Sequence, residues 1–423
     1  MSILHDYVNR IRIIDGHEHL ATPQIRKREN HDLFSLLHYL DSDFYSAGMK
    51  QGVLGRQSSL AAEQKASMFM EYWHKTKNTT YARMFRTAME DLYDVTDWNV
   101  KSLLEANEKV LQATHDPNWY EHVMAERSGI DLAFTLIQTT KLDYDRFRPI
   151  MFMDFAFKLR TLKDITAVER MSGVNVYHLR QYLDAVDALL HRYVQEGMVA
   201  TKFGHAYWRS LASGKPTFHE AELAFNRLMG CTLEESLSQA ETVALQDYLI
   251  HFIIQRSTAY GLPIQIHTGH HEVSVSNNGN TITNSNVELL IPLLLAYKDT
   301  KFVLLHSGYP YYLPYLSIVK NFQNVYADLT WLYIISPTAA KQILHQFIEM
   351  VPMTKIQGFG GDYNYIEGTY AHQKLARKVV GDVLTEKVAE GALDETEAMT
   401  FADRIFRLNL IDIYQLKDME VQG

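Results

Sequence analysis

From about residue 130 onwards, short apolar runs alternate with amphipathic helical stretches, and few folds accept that order. A strand written as an unbroken apolar run is covered on both faces, and strands separated by helices pair in parallel because each helix returns the chain to the same end of the sheet. With the run that starts at Ile11, the expected strands are 131–137, 148–155, 198–203, 262–267, 301–306, 325–329 and 355–362. Helices are expected at 176–195, where Leu179, Leu183, Val186, Leu189, Leu190 and Val194 share a face, and at 218–260, 288–297, 370–388 and 395–414. Eight strand and helix units in one chain predict an α/β protein with a (β/α)8 barrel, a TIM barrel.

One stretch breaks the alternation. Residues 21–127 show helical periodicity and no convincing strand, as in the run of good helix formers at 59–70 and the apolar spacing at 81–92. The expected organisation is therefore a barrel formed by residues 1–20 and 128–423, with a large helical insertion after strand one, 21–127, covering the barrel mouth. Its aromatic residues, among them Tyr72, Trp73, Phe85, Tyr93 and Trp98, read as packing. Excising the insertion is expected to spare the barrel and its site while abolishing selective ligand binding.

Composition excludes several classes of function. With 47% hydrophobic and 22% charged residues the chain is a globular protein with a large core, and a net charge of -9 without long runs of one sign argues against nucleic acid or anionic membrane as partner. The single cysteine, Cys231, allows no intramolecular disulfide, and no apolar run approaches the roughly 20 residues that span a bilayer. A cytoplasmic protein, a homo-oligomer acting on a small molecule, is expected.

In such a barrel the carboxyl ends of the strands converge on one face, where the chemistry is done. The polar residues at the expected ends are His17 and His19 on strand one, Lys202 with His205 beyond on strand four, His267 on strand five, His306 on strand six and Asp362 on strand eight. In extended chain His17 and His19 point the same way. Three imidazoles and one carboxylate suit a divalent metal, zinc by preference, with manganese or iron as alternatives, and leave an open coordination position. The expected ligands are His17, His19, His267 and Asp362, and His306 is the candidate general base or substrate-holding residue.

These residues, with Leu262–Gly269, Leu304–Pro310 and Gly360–Asp362 around them, resemble the amidohydrolase superfamily, in its amidohydrolase-related branch. That branch holds decarboxylases of the 2-amino-3-carboxymuconate semialdehyde type and the amidohydrolase domains fused to glutamine synthetase-like proteins. Uronate isomerases are more distant cousins with a helical insertion after strand one. The resemblance implies metal binding at His17, His19, His267 and Asp362, with Asp362 also catalytic as acceptor of a proton from the activated water and His306 near the substrate. It leaves Lys202 open between a carbamate bridging two metals and an unmodified ammonium. The ammonium would hold a substrate carboxylate, as Arg209 would bidentately.

The resulting expectation is a metal-dependent hydrolase that cleaves an amide or ester bond of a small carboxylated substrate through metal-activated water. Non-oxidative decarboxylation and isomerisation of a sugar acid are the alternatives, and a ligand-binding barrel without turnover is the remaining one. The turn-rich run 277–280 after strand five reads equally as a lid or as a plain connection, and Gly358–Gly361 lacks the spacing of a phosphate-binding loop.

Overall fold

Eight parallel strands form one sheet in chain order: β1 (Ile13–Glu18), β2 (Ile130–Thr135), β3 (Phe147–Phe152), β4 (Ala200–Phe203), β5 (Ile264–His267), β6 (Phe302–Leu305), β7 (Val325–Asp328) and β8 (Ile356–Gln357). The computed structural model describes residues 3–55, 58–143, 145–272 and 281–416, so the run 277–280 lies outside the described residues. Every ladder between neighbours is parallel, and helices fill the connections, giving a (β/α)8 barrel. Main-chain bonds draw the last strand's continuation onto the first: Gly16 donates to Phe359 O, Asp362 to the His17 carbonyl and His19 to the Tyr363 carbonyl. No helix among the described residues is long and apolar enough to cross a membrane.

The eighth strand is far shorter than the expected 355–362. After Gln357 the backbone leaves the regular ladder, with the Gly358 N–H on Ile405 O and the Gly361 N–H on the Asp15 carboxylate. A Cβ at Gly361 would lie 1.9 Å from Glu18 Oε1, so only glycine lets this segment pass. The expected helix 218–260 is two helices, Phe218–Met229 and Gln239–Ala259, each opened by a capping box: Thr217 with Glu220, and Ser238 with Glu241. The expected 370–388 begins earlier, at Ile366, and 395–414 is interrupted by a π-helical turn at Arg404–Leu408.

Between β1 and β2 lie helices Pro23–Glu29, Tyr39–Ser46, Ala62–Thr76, Thr80–Tyr93 and Val100–His115. Their buried Phe44, Phe69, Trp73 and Phe85 form one apolar cluster that also contains Trp331, Tyr363, Tyr365 and Ala371 of the barrel. A buried ion pair pins the segment. Arg26 Nη1 and Nη2 donate to the two Glu367 oxygens at 2.9 and 2.7 Å, and Trp119 Nε1 donates to the same carboxylate.

Candidate functional site

The carboxyl ends of β1, β4, β5, β6 and β8 surround a cavity of about 350 Å³, lined by His17, His19, Lys202, His267, His306 and Asp362. The first-strand pair alternates as an extended chain dictates. His17 and His19 reach the same side with their rings edge to face, while Glu18 turns away, where Tyr363 N and Thr369 Oγ1 donate to it.

Three of the expected residues come together: the donor atoms of His17, His19 and Asp362 all lie within 4.8 Å of one another. Asp362 Oδ1 faces His17 Nε2 at 3.4 Å and His19 Nε2 at 3.2 Å. Gln265 on β5 sets the tautomer of His17. The Nδ1–H donates to Gln265 Oε1 at 2.7 Å, so Nε2 carries the lone pair, and that buried nitrogen has no hydrogen-bond partner among the described residues. Burial drives His17 well below the ordinary imidazole range, so it is neutral. Burial pushes the Asp362 carboxyl up, yet the hydrogen bond from His19 and the surrounding imidazoles of His17 and His306 pull harder and hold it well below the usual carboxylate range. An imidazole lone pair and a carboxylate aimed at one point repel unless a cation sits between them, so this donor set fits a divalent metal.

His267 lines the cavity but stands outside that cluster. Its Nε2 donates to the His270 carbonyl at 2.8 Å, and its Nδ1 faces His306 Nε2 at 3.0 Å. The physical reason is a competing acceptor: the His270 carbonyl takes the proton of the nitrogen that would otherwise be a ligand. His306 is anchored in turn by Nδ1 on Thr330 O, and its backbone N–H donates to Asp328. Burial lowers His306 to about 3 and drives His267 well below the ordinary range. His306 and Asp362 both sit at positive φ, 67° and 58°, in the left-handed region that costs a non-glycine residue on the order of 1–3 kcal/mol and that clusters at functional sites.

Lys202 faces the cavity from β4, 4% exposed, and no carboxylate among the described residues makes an ion pair with it. Burial lowers its ammonium to about 8 against the pull of Asp362, Asp328 and Asp154. Arg209 is not brought to the cavity. Its guanidinium is spent on Asp247 at 2.6 Å, with Gln246 and the Ser210 and Ala212 carbonyls completing its bonds. His205 is likewise buried, packed on Phe157 and Phe203.

Several cavity residues were not among the expected site residues. His38 and Tyr39 come from the segment between β1 and β2; Tyr39 donates to the Asp362 carbonyl and stacks on Trp331. The Tyr207 ring lies tilted against His267, centroids 4.7 Å apart, and Glu272 accepts from Tyr81. The run His270-His271-Glu272 beside a predicted ligand was the available cue for Glu272. For His38 the available cue was weaker, an imidazole among helix formers.

An amidohydrolase family model matches residues 170–396, more than half of the chain. Over 189 residues the chain is 28% identical to Protein fluG of Emericella nidulans, an alignment that covers 43% of this chain and 21% of that protein, so the chain spans about a fifth of this relative's length. Among solved structures, glucuronate isomerase of Caulobacter crescentus superposes with a TM-score of 0.79 at 18% identity, covering 99% of this chain and 94% of that one. A Lactobacillus casei protein described as a metal-dependent hydrolase superposes with a TM-score of 0.71 at 17% identity, covering both chains in full. At these identities the structural likeness is one of fold, and the family assignment rests on the sequence match: the chain belongs to the amidohydrolase family.

Proposed function

We propose that the chain is a metal-dependent hydrolase that cleaves an amide or ester bond in a small carboxylated substrate. The observation that carries this reading is Lys202: a buried ammonium without a carboxylate partner among the described residues, facing the His17, His19 and Asp362 donors in one cavity. A buried cation that makes no contact ion pair is costly, and a substrate carboxylate supplies one. His17, His19 and Asp362 would hold the ion, zinc by preference, which would supply Lewis acidity at the scissile group when bound.

Asp362 stays ionised at working pH and takes the proton of the attacking water on Oδ2, since Oδ1 faces the two imidazoles. His306 and His267 handle the second proton. Their outer nitrogens both donate to carbonyls, so the inner Nε2 to Nδ1 contact becomes a hydrogen bond only when the pair carries one additional proton. Burial makes that proton weakly held, which suits its delivery to a leaving amine or alcohol. Tyr39 and His38 line the cavity from the segment between β1 and β2, which supports reading 21–127 as a cover of the barrel mouth.

The full-length likeness to glucuronate isomerase supports a second reading, isomerisation of a sugar acid on the same three donors. One experiment separates them: turnover of N-acyl amino acids, carboxylate esters and uronates in 18O- and 2H-labelled water. Hydrolysis places 18O in the product carboxyl group, and isomerisation places deuterium on carbon. Carbon labelling on uronates without hydrolysis of any amide or ester overturns the first reading.

A further inference from the structure

We propose that the chain carries a second ligand site, for a multiply charged oxyanion, on the amino-terminal face of the barrel, the end opposite the cavity of Lys202 and Asp362. A cavity of about 750 Å³ opens there, where Ile11 and Arg12 lead into β1 and Ser128 and Gly129 lead into β2. Helix Ile3–Arg10 and helix Ile366–Ala389 form its sides. Its lining holds six cations, Arg10, Arg12, Arg127, Lys374, Arg377 and Lys378, against two carboxylates, Glu126 and Asp382, in a protein whose net charge is -9.

The ion pairs leave that excess standing. Lys374 is matched by Asp91, Lys378 by Asp382, and Arg12 by Asp131, which Arg407 also claims at 2.7 Å. Arg10, Arg127 and Arg377 form no ion pair among the described residues. Arg377 is the most informative of the three. At 5% exposure its guanidinium donates to the carbonyls of Val8, Ile11 and Ser128 and to Gln373 Oε1, neutral acceptors throughout. Those bonds hold the group in place and leave its charge unbalanced. Burial, and then the neighbouring Arg12, lower it to about 10.

Two guanidinium groups converge on one glycine. A Cβ on Gly129, which sits at φ +65°, would lie 3.1 Å from Arg377 Nη2 and 3.7 Å from Arg12 Nη1. Like charges gathered around a concave space bind an oxyanion with several charge-assisted bonds, and planar guanidinium forks match the geometry of phosphate and carboxylate oxygens. The ligand class is therefore a small molecule bearing either phosphate groups or several carboxylates. Helix Ile366–Ala389 starts just after Asp362 and carries Arg377, so the same element borders both faces.

Isothermal titration of the full-length, metal-loaded protein with inorganic phosphate and with tricarballylate, at fixed ionic strength, tests the site. Arg377→Gln strips three carbonyls of their donor and is unsuited to the purpose, so the exposed pair Arg10→Gln/Arg127→Gln carries the test. Saturable one-site binding that weakens about tenfold in that double variant and persists in Lys202→Met is the expected result. Phosphate alone, or tricarballylate alone, identifies which oxyanion the site takes. The absence of saturable binding for both probes overturns the proposal. So does binding that the double variant leaves intact, or binding that Lys202→Met abolishes.

Discussion

Each residue at the proposed metal donors has a separable expected effect. His19→Ala and Asp362→Asn are expected to lose bound metal, measured by elemental analysis after dialysis, whereas His267→Ala and His306→Asn keep it and lose turnover; metal loss in His267→Ala would make that ring a fourth ligand. Gln265→Leu frees the Nδ1 of His17 and should weaken metal affinity by roughly 10–100-fold without removing a donor. Lys202 predicts a pH limb. With its ammonium lowered to about 8, kcat/KM for a carboxylated substrate holds below that pH and falls as pH rises through it, and Lys202→Met removes the limb together with most of the affinity. The stability sign follows from the same shift. Between about 8 and the unfolded value of about 10.4 the unfolded chain binds more protons, so this group makes the fold more stable as pH rises through that window.

At the scale of elements, strand and helix order was legible because period and punctuation are local properties. Ser238-x-x-Glu241 was a readable start signal inside the expected helix 218–260, and the structure uses it. The shortness of β8 was not readable, since it depends on Asp15, Glu18 and Ile405, which are remote in sequence and capture the Gly358–Gly361 backbone. The Arg26–Glu367 pair is the element-level bond most exposed to test. Arg26→Met leaves a fully buried carboxylate unpaired and should cost about 3–5 kcal/mol in denaturant unfolding, a loss that the double variant Arg26→Met/Glu367→Gln partly restores.

The whole molecule changes the expectation for the helical segment. Excision of 21–127 was expected to spare the barrel, yet Trp331, Tyr363, Tyr365 and Ala371 share their apolar cluster with that segment's helices, and Glu367 takes its arginine from it. The truncated chain should therefore lose cooperative thermal unfolding and expose apolar surface to a hydrophobic dye, in addition to losing ligand selectivity. A truncated chain that unfolds cooperatively near the full-length midpoint would restore the sequence-based expectation. What the sequence by itself determined is the barrel and which polar residues stand at or beyond its strand ends, because apolar periodicity specifies elements and parallel order brings their carboxyl ends to one face. Only the tertiary structure decided which of those ends meet: His17, His19 and Asp362 converge, His267 is taken by the His270 carbonyl and Arg209 by Asp247. The physical reason is that a hydrogen bond or ion pair of a few ångströms is won by whichever partner the fold brings near, and sequence distance carries no record of that competition.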